Sequence, residues 1–282
     1  MNGIILINKE MDYTSRDVVN IISKKFHTKK VGHAGTLDPM ATGVLVVCIG
    51  SSTKLVEILT GHDKDYLAEI TLGLLTDTLD TTGNVIKSED VYFTKDEIID
   101  ALNKMNGEYN QEVPIYSAVR INGKKLYEYA RDNEEVVLPS RMVSVKSIEL
   151  IGDIKYVDNK VVFSFKCTVS KGTYIRALVN DIASKLGTVG TMSKLNRTKQ
   201  GTFKIEDAQK LSDDLVIINP TDILPYKKVI VSEDLKEDIL NGKVLDNIYS
   251  EDIIAFVDTS NKTLAIYKSF ENKLKPWKML WM

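Results

Sequence analysis

Cysteine is scarce in this 282-residue chain: there are only Cys48 and Cys167, far apart and each inside an apolar stretch. Such scarcity excludes a disulfide framework and predicts two reduced core thiols. Histidine is equally sparse. His27, His33 and His62 share no metal-ligand spacing and neither cysteine completes a set, so no metal is expected. Long apolar runs are also missing. The run Ile4-Ile5-Leu6-Ile7 near the start is too short for a membrane span or a signal core, which predicts a cytoplasmic protein with no membrane partner. Nor does charge of one sign dominate, since 37 basic residues face 39 acidic ones. A net charge of −2 excludes a global field for nucleic acid, so any such partner needs a local concentration of cations.

One region provides that concentration. Between Lys166 and Lys210 stand Lys166, Lys171, Arg176, Lys185, Lys194, Arg197, Lys199, Lys204 and Lys210, against Asp181, Glu206 and Asp207. A 43% hydrophobic content supports a sizeable core, and the length suits one large domain followed by a small one.

Periodicity places the main elements. Thr14-Ser15 starts a helix through Val18, Ile21 and Ile22 that ends on Lys24 and Lys25. Thr94 with Glu97 forms a capping box ahead of Ile98, Leu102 and Met105. Val161, Phe163, Phe165, Cys167 and Val169 alternate as one face of a half-buried strand. After a turn at Lys171-Gly172-Thr173-Tyr174, the residues Ile175, Leu178, Val179, Ile182 and Leu186 mark a helix. Arg176 lies off that apolar face in the first turn, where the helix macrodipole disfavours a cation, so a specific partner is expected to hold it. Beyond Pro225, short β-rich pieces at 229–231, 253–257 and 264–267 and a last one near Trp277 predict a small all-β module.

The most informative segment is Gly32-His33-Ala34-Gly35-Thr36-Leu37-Asp38-Pro39-Met40-Ala41-Thr42-Gly43-Val44. Gly32, Gly35 and Gly43 allow backbone angles or close approaches denied to other residues, while Pro39 restricts Asp38 to extended or turn geometry. The loop is expected to present Asp38 rigidly and to feed a core strand over 44–49.

As a string, these residues resemble the signature of the bacterial tRNA pseudouridine-55 synthases, the TruB type, and more loosely their H/ACA relatives. Four further segments carry the likeness over most of residues 1 to 210. They are Lys64-Asp65-Tyr66, then Pro114-Ile115-Tyr116-Ser117-Ala118 with Gly123 and Tyr127, then Lys171-Gly172-Thr173-Tyr174-Ile175-Arg176, and Leu195-Asn196-Arg197-Thr198 with Gly201 and Phe203. The chain departs from the family pattern at Glu10, Val113, Arg120 and Asn196, none of which is Asp38, Tyr66 or Arg176.

The resemblance implies an α+β fold: a mixed, largely antiparallel sheet with flanking helices over residues 1–225, and a PUA-like RNA-binding module over 226–282. It implies Asp38 as catalytic nucleophile, Arg176 as the cation that pairs with it, Tyr66 as the ring that stacks on the target base, and Leu195 as a pocket wall. His33 is associated with base flipping, and Lys9, Lys64 and Arg197 with RNA binding. The implied partner is tRNA through its T-arm stem-loop, with a monomeric enzyme and no obligate protein partner. Uridine isomerisation has no net redox change and needs no cofactor. Whether Asp38 attacks sugar or base stays open, since either path uses the same carboxylate. A non-catalytic RNA-binding protein on the same scaffold, and a hydrolase using His33 and Asp38, are the competing readings.

Overall fold

Four consecutive aliphatics, Ile4 to Leu6 and Ile7, are buried, and so is every residue from Val44 to Ile49. Burial on both faces is what such uninterrupted apolar strands require. In the computed structural model, which describes residues 1–281, they pair antiparallel as strands Gly3–Lys9 and Thr42–Ile49, with Gly3 opposite Ile49 and Lys9 opposite Gly43. The chain packs as two compact units, one of residues 1–39, 43–61 and from 202 onward, the other of 40–42 and 62–201.

In the first unit, the outer edge of Gly3–Lys9 is covered by later chain. Ile4 and Ile218 exchange backbone hydrogen bonds of 3.0 and 2.8 Å, and the N–H of Asn8 donates to the Gln209 carbonyl at 2.9 Å. An edge so occupied cannot template pairing with another chain. Helix Ser15–Lys25 begins as expected: the Thr14 hydroxyl accepts the Asp17 N–H at 3.0 Å, and the Asp17 carboxylate accepts the Thr14 N–H at 2.9 Å.

Residues after 226 form a five-stranded sheet in the order Lys227–Ile230, Ile253–Val257, Thr263–Phe270, Lys273–Met279, Leu245–Asp246. This segment is not purely β. Helix Glu233–Leu240 crosses it, started by Ser232, whose hydroxyl accepts the Leu235 N–H, and it buries Ile239. Phe256 and Tyr267 meet edge to face at 5.1 Å in a core of their own with Ile254 and Leu274. Ile266 and Leu280 join a second core with Ile4, Leu6, Val44 and Val46.

The second unit is an antiparallel sheet in the order Gly190–Gln200, Lys64–Leu72, Lys160–Val169, Ser140–Val157, Gly107–Glu112. Strand Lys64–Leu72 buries Lys64, Tyr66, Ala68, Ile70 and Leu72 on one face. Helix Lys95–Asn103 starts on the Thr94/Glu97 capping box, and helix Ile175–Lys185 follows the Gly172 turn. Among the described residues no helix is long and apolar enough to cross a membrane. Both cysteines are free and buried, and burial pushes each thiol up to about 12.

Helix Ile175–Lys185 lies close to its sheet because Gly190 has no side chain. A Cβ there would sit 2.7 Å from the Ala183 Cβ and 3.2 Å from Ile70 Cδ1. Gly190→Ala should therefore cost about 1–3 kcal/mol of stability through overpacking, and adding Ala183→Gly should recover part of it. Urea midpoints of the two variants check this; equal losses would show that the contact does not govern the packing.

Candidate active site

Asp38 is part-buried in a turn whose two neighbours are both fastened. On one side, the Ser15 hydroxyl accepts the Leu37 N–H at 2.9 Å and donates to the Leu37 carbonyl at 3.1 Å. On the other, the Pro39 carbonyl accepts from the Asp12 N–H at 2.9 Å and from the Lys9 ammonium at 3.2 Å. Lys9 has no exposed surface, and its ammonium also donates to the carbonyls of Glu10 and Tyr13 at 2.9 and 2.6 Å. Charge-assisted bonds of this kind are worth about 1.5–3 kcal/mol each. Gly35 supplies a φ of +111°, open only to glycine at low cost, where the loop leaves strand Val31–His33. His33 ends that strand half-buried, opposite Val47.

In the second unit, the buried face of Lys64–Leu72 is shared with strand Gly190–Gln200. Tyr66 stands opposite Arg197, Ala68 opposite Leu195, and Lys64 opposite Gln200. Tyr66, Leu195, Arg197 and Lys64 are all buried. The Lys64 ammonium donates to the His62 carbonyl at 2.8 Å. Burial, and then the nearby Arg197 and Lys171 charges, push Lys64 down to about 8 against the opposing pull of Asp63.

Arg176, the second residue of helix Ile175–Lys185, is also buried. Two loops supply partners of the kind its placement demands. Nη1 donates to the Thr78 carbonyl at 2.8 Å and Nη2 to the Tyr116 carbonyl at 2.9 Å, while Nε lies 3.8 Å from Asp80 Oδ2. Asp80 is fixed in turn: its carboxylate accepts from the Thr78 hydroxyl at 2.8 Å and from the Thr82 N–H and hydroxyl at 3.0 and 2.5 Å. Leu79, between them, has φ +63°, a conformation that costs a branched residue about 1 kcal/mol or more.

Residues 23–175 match the model of the TruB family pseudouridylate synthase, N-terminal domain. The tRNA pseudouridine synthase B of Bacillus licheniformis is 41% identical over 303 residues, covering 99% of this chain and 97% of that protein. This chain belongs to the TruB family of pseudouridylate synthases. A second member, the tRNA pseudouridine synthase B of Clostridium tetani, is 40% identical over 90% of this chain and 91% of its own length. Among solved structures, a chain of an H/ACA RNP bound to a substrate RNA containing 2'-deoxyuridine aligns with TM-score 0.70 over 99% of this chain and 84% of its own, at 24% identity. A chain of a Cbf5-Nop10-Gar1 complex aligns with TM-score 0.68 over 95% and 78%, at 25% identity. The expected α+β pseudouridine-synthase fold is thus present in this TruB-family chain.

The residues named from sequence divide between the units: Lys9, His33 and Asp38 in the first, Lys64, Tyr66, Arg176, Leu195 and Arg197 in the second. Lys9, expected from the resemblance to bind RNA, has no exposed surface, and its ammonium donates to the carbonyls of Glu10, Tyr13 and Pro39. The basic stretch is likewise less open than its count implies, since Arg176 and Arg197 are internal and Lys166 and Lys194 pair with Glu149 and Glu69. Sequence reasoning missed Asp80 and Ser15. The signal for Asp80 was an acidic residue within Thr78-Leu79-Asp80-Thr81-Thr82, a run dense in hydroxyls able to fix a carboxylate. No group of three or more His, Cys, Asp or Glu suited to a metal occurs among the described residues.

Removing Asp80 takes one carboxylate away from the buried Arg176 guanidinium. Asp80→Ala should lower stability by about 3–5 kcal/mol and cut turnover, while Asp80→Asn, which keeps an acceptor for Thr82, should lose less. Urea unfolding with single-turnover assays tests this, and a native midpoint for Asp80→Ala would refute the pairing.

Lys64 offers a pH test. Its ordinary value of 10.5 falls to about 8 on folding, so between these the unfolded chain holds more protons and the Lys64 contribution to stability rises with pH. Below that window the burial penalty is felt in full. Stability of the native protein relative to Lys64→Met should therefore grow from pH 7.5 to pH 10 on urea midpoints. A difference constant with pH would mean that folding does not desolvate the ammonium.

Proposed function

We propose that this chain isomerises uridine to pseudouridine in tRNA, at position 55 of the T arm, with Asp38 as the nucleophile. The observation that carries the reading is the fastening of Asp38 through both of its neighbours, Leu37 by Ser15 and Pro39 by Lys9 and Asp12. Attack on a glycosidic carbon or a uracil ring demands a carboxylate held in near-attack geometry, and a fastened loop provides that without further ordering on binding. Support also comes from full-length relatives named tRNA pseudouridine synthase B.

Tyr66 gives uracil a flat face on which to stack, and its hydroxyl is a group able to assist proton handling. Arg176 and Leu195 bind the target nucleotide. Removing a uridine from a folded arm costs roughly a few kcal/mol, which phosphate contacts offset. His33 occupies the space that the flipped base leaves. Lys64 and Arg197, two buried cations around Tyr66, give the pocket a positive potential suited to the flipped nucleotide's phosphate.

Residues 1–225 act as the catalytic domain and 226–282 as the PUA-like RNA-binding module. The latter carries exposed cations beside aromatic rings: the Lys268 ammonium lies 5.9 Å from the Trp277 ring, and that of Lys275 lies 3.5 Å from the Phe270 ring. The enzyme works as a cytoplasmic monomer on tRNA alone.

Pseudouridine mapping on unmodified tRNA transcripts, incubated with the native protein and with Asp38→Ala without added metal or nucleotide, tests the reading. Conversion should be confined to the T-arm uridine and vanish in the variant. Tight tRNA binding with no conversion by the native protein would instead make it an RNA-binding protein.

A further inference from the structure

Tyr174, the residue that opens helix Ile175–Lys185, has no side-chain cap on the helix it starts. Its peptide is gripped from another element. Gln111, buried in the edge strand Gly107–Glu112, accepts the Tyr174 N–H on Oε1 at 2.8 Å and donates from Nε2 to the Tyr174 carbonyl at 3.1 Å. One side-chain amide thus pairs with both polar atoms of one residue, as a neighbouring strand would, and fixes rotation as well as position. The orientation of the amide is dictated, because the Tyr174 N–H can only donate and so must face oxygen.

The grip is reinforced on three sides. Gln111 Nε2 also donates to the Tyr109 hydroxyl at 2.8 Å, and that hydroxyl donates to Asp181 Oδ2 at 2.9 Å, farther along the same helix. Burial pushes the Asp181 carboxyl up and the Tyr109 phenol up, so this chain of bonds sits where an unmade bond is expensive. Arg141, directly opposite Gln111 on the adjacent strand, lays its guanidinium 5.2 Å from the Tyr174 ring. Two residues after this clamped peptide stands Arg176, whose guanidinium meets two carbonyls and a carboxylate at set distances.

We propose that Gln111 is a positioning residue for Arg176, setting through the Tyr174 peptide where the guanidinium lies. The inference rests on the proposed role of Arg176 at the target nucleotide. A helix start displaced by about an ångström costs up to a hundredfold in rate without removing any group that touches RNA.

The test compares Gln111→Leu, Gln111→Glu and Ile182→Val in the full-length protein. Gln111→Leu should lower kcat about tenfold to a hundredfold with KM for tRNA within about twofold. Ile182→Val loosens the same helix from the core and should leave kcat within about twofold, separating positioning from plain destabilisation. Gln111→Glu keeps the acceptor for Tyr174 and regains a donor only when protonated. Its activity relative to the native protein should therefore rise as pH falls from about 8 to 6. Independently of turnover, the Arg176 Nε–H proton, assigned by its loss in Arg176→Lys, should exchange slowly in the native protein and fast in Gln111→Leu. Native exchange in Gln111→Leu, or equal kcat losses in Gln111→Leu and Ile182→Val, would overturn the proposal. A native protein that converts no tRNA would defeat the functional reading instead, leaving the exchange measurement to decide on Gln111.

Discussion

A guanidinium with almost no water around it needs its partners inside the protein, and that need organises the second unit. Arg176 draws the carbonyls of Thr78 and Tyr116 and the carboxylate of Asp80 to one point. The loop carrying Asp80 accepts a left-handed Leu79 to do so, and three hydroxyl or amide donors hold the carboxylate in place. Leaving a buried charge short of such contacts is costlier than the strain, which decides the balance.

The first unit solves a similar problem with a backbone turn. Ser15, Lys9 and Asp12 hold the residues on either side of Asp38. With both neighbours fastened, the loop that carries Asp38 has little room to relax. Lys9 adds a cation to that turn: its ammonium donates to the carbonyls of Glu10, Tyr13 and Pro39.

Local signals were legible in the sequence wherever a helix begins or a strand alternates. Thr14 opens its helix as a cap and Thr94 as part of its capping box, and Val161, Phe163, Phe165, Cys167 and Val169 line one buried face. Strand Ser140–Val157 was not legible, since irregularities between Val145 and Ser147 and between Ile151 and Lys155 break its alternation. Helix Glu233–Leu240 was hidden among β-rich pieces. In the site, the glycine-hinged loop pointed to Asp38, and the awkward placement of Arg176 pointed to a partner. The resemblance gave Asp38 as that partner; the contact with Asp80 was not readable, because the two residues are far apart in sequence and no local pattern encodes a long-range contact. The burial of Lys9 was not readable for another reason: lysines are rarely buried, so nothing local marks one that is.

The first strand has an outer edge that waits for Gln209 and Ile218, about two hundred residues farther along. At ribosomal speeds of about 5–20 residues per second, Ile4-Ile5-Leu6-Ile7 emerges some ten seconds or more before the segment that seals it. During synthesis this is an apolar ribbon with unpaired amides and carbonyls, the kind of surface that chaperones bind and that nascent chains on one message can exchange. The native sheet edge is closed to such pairing only once the chain has been made through Ile218, so its protection belongs to the end of synthesis of this segment and not to the strand itself.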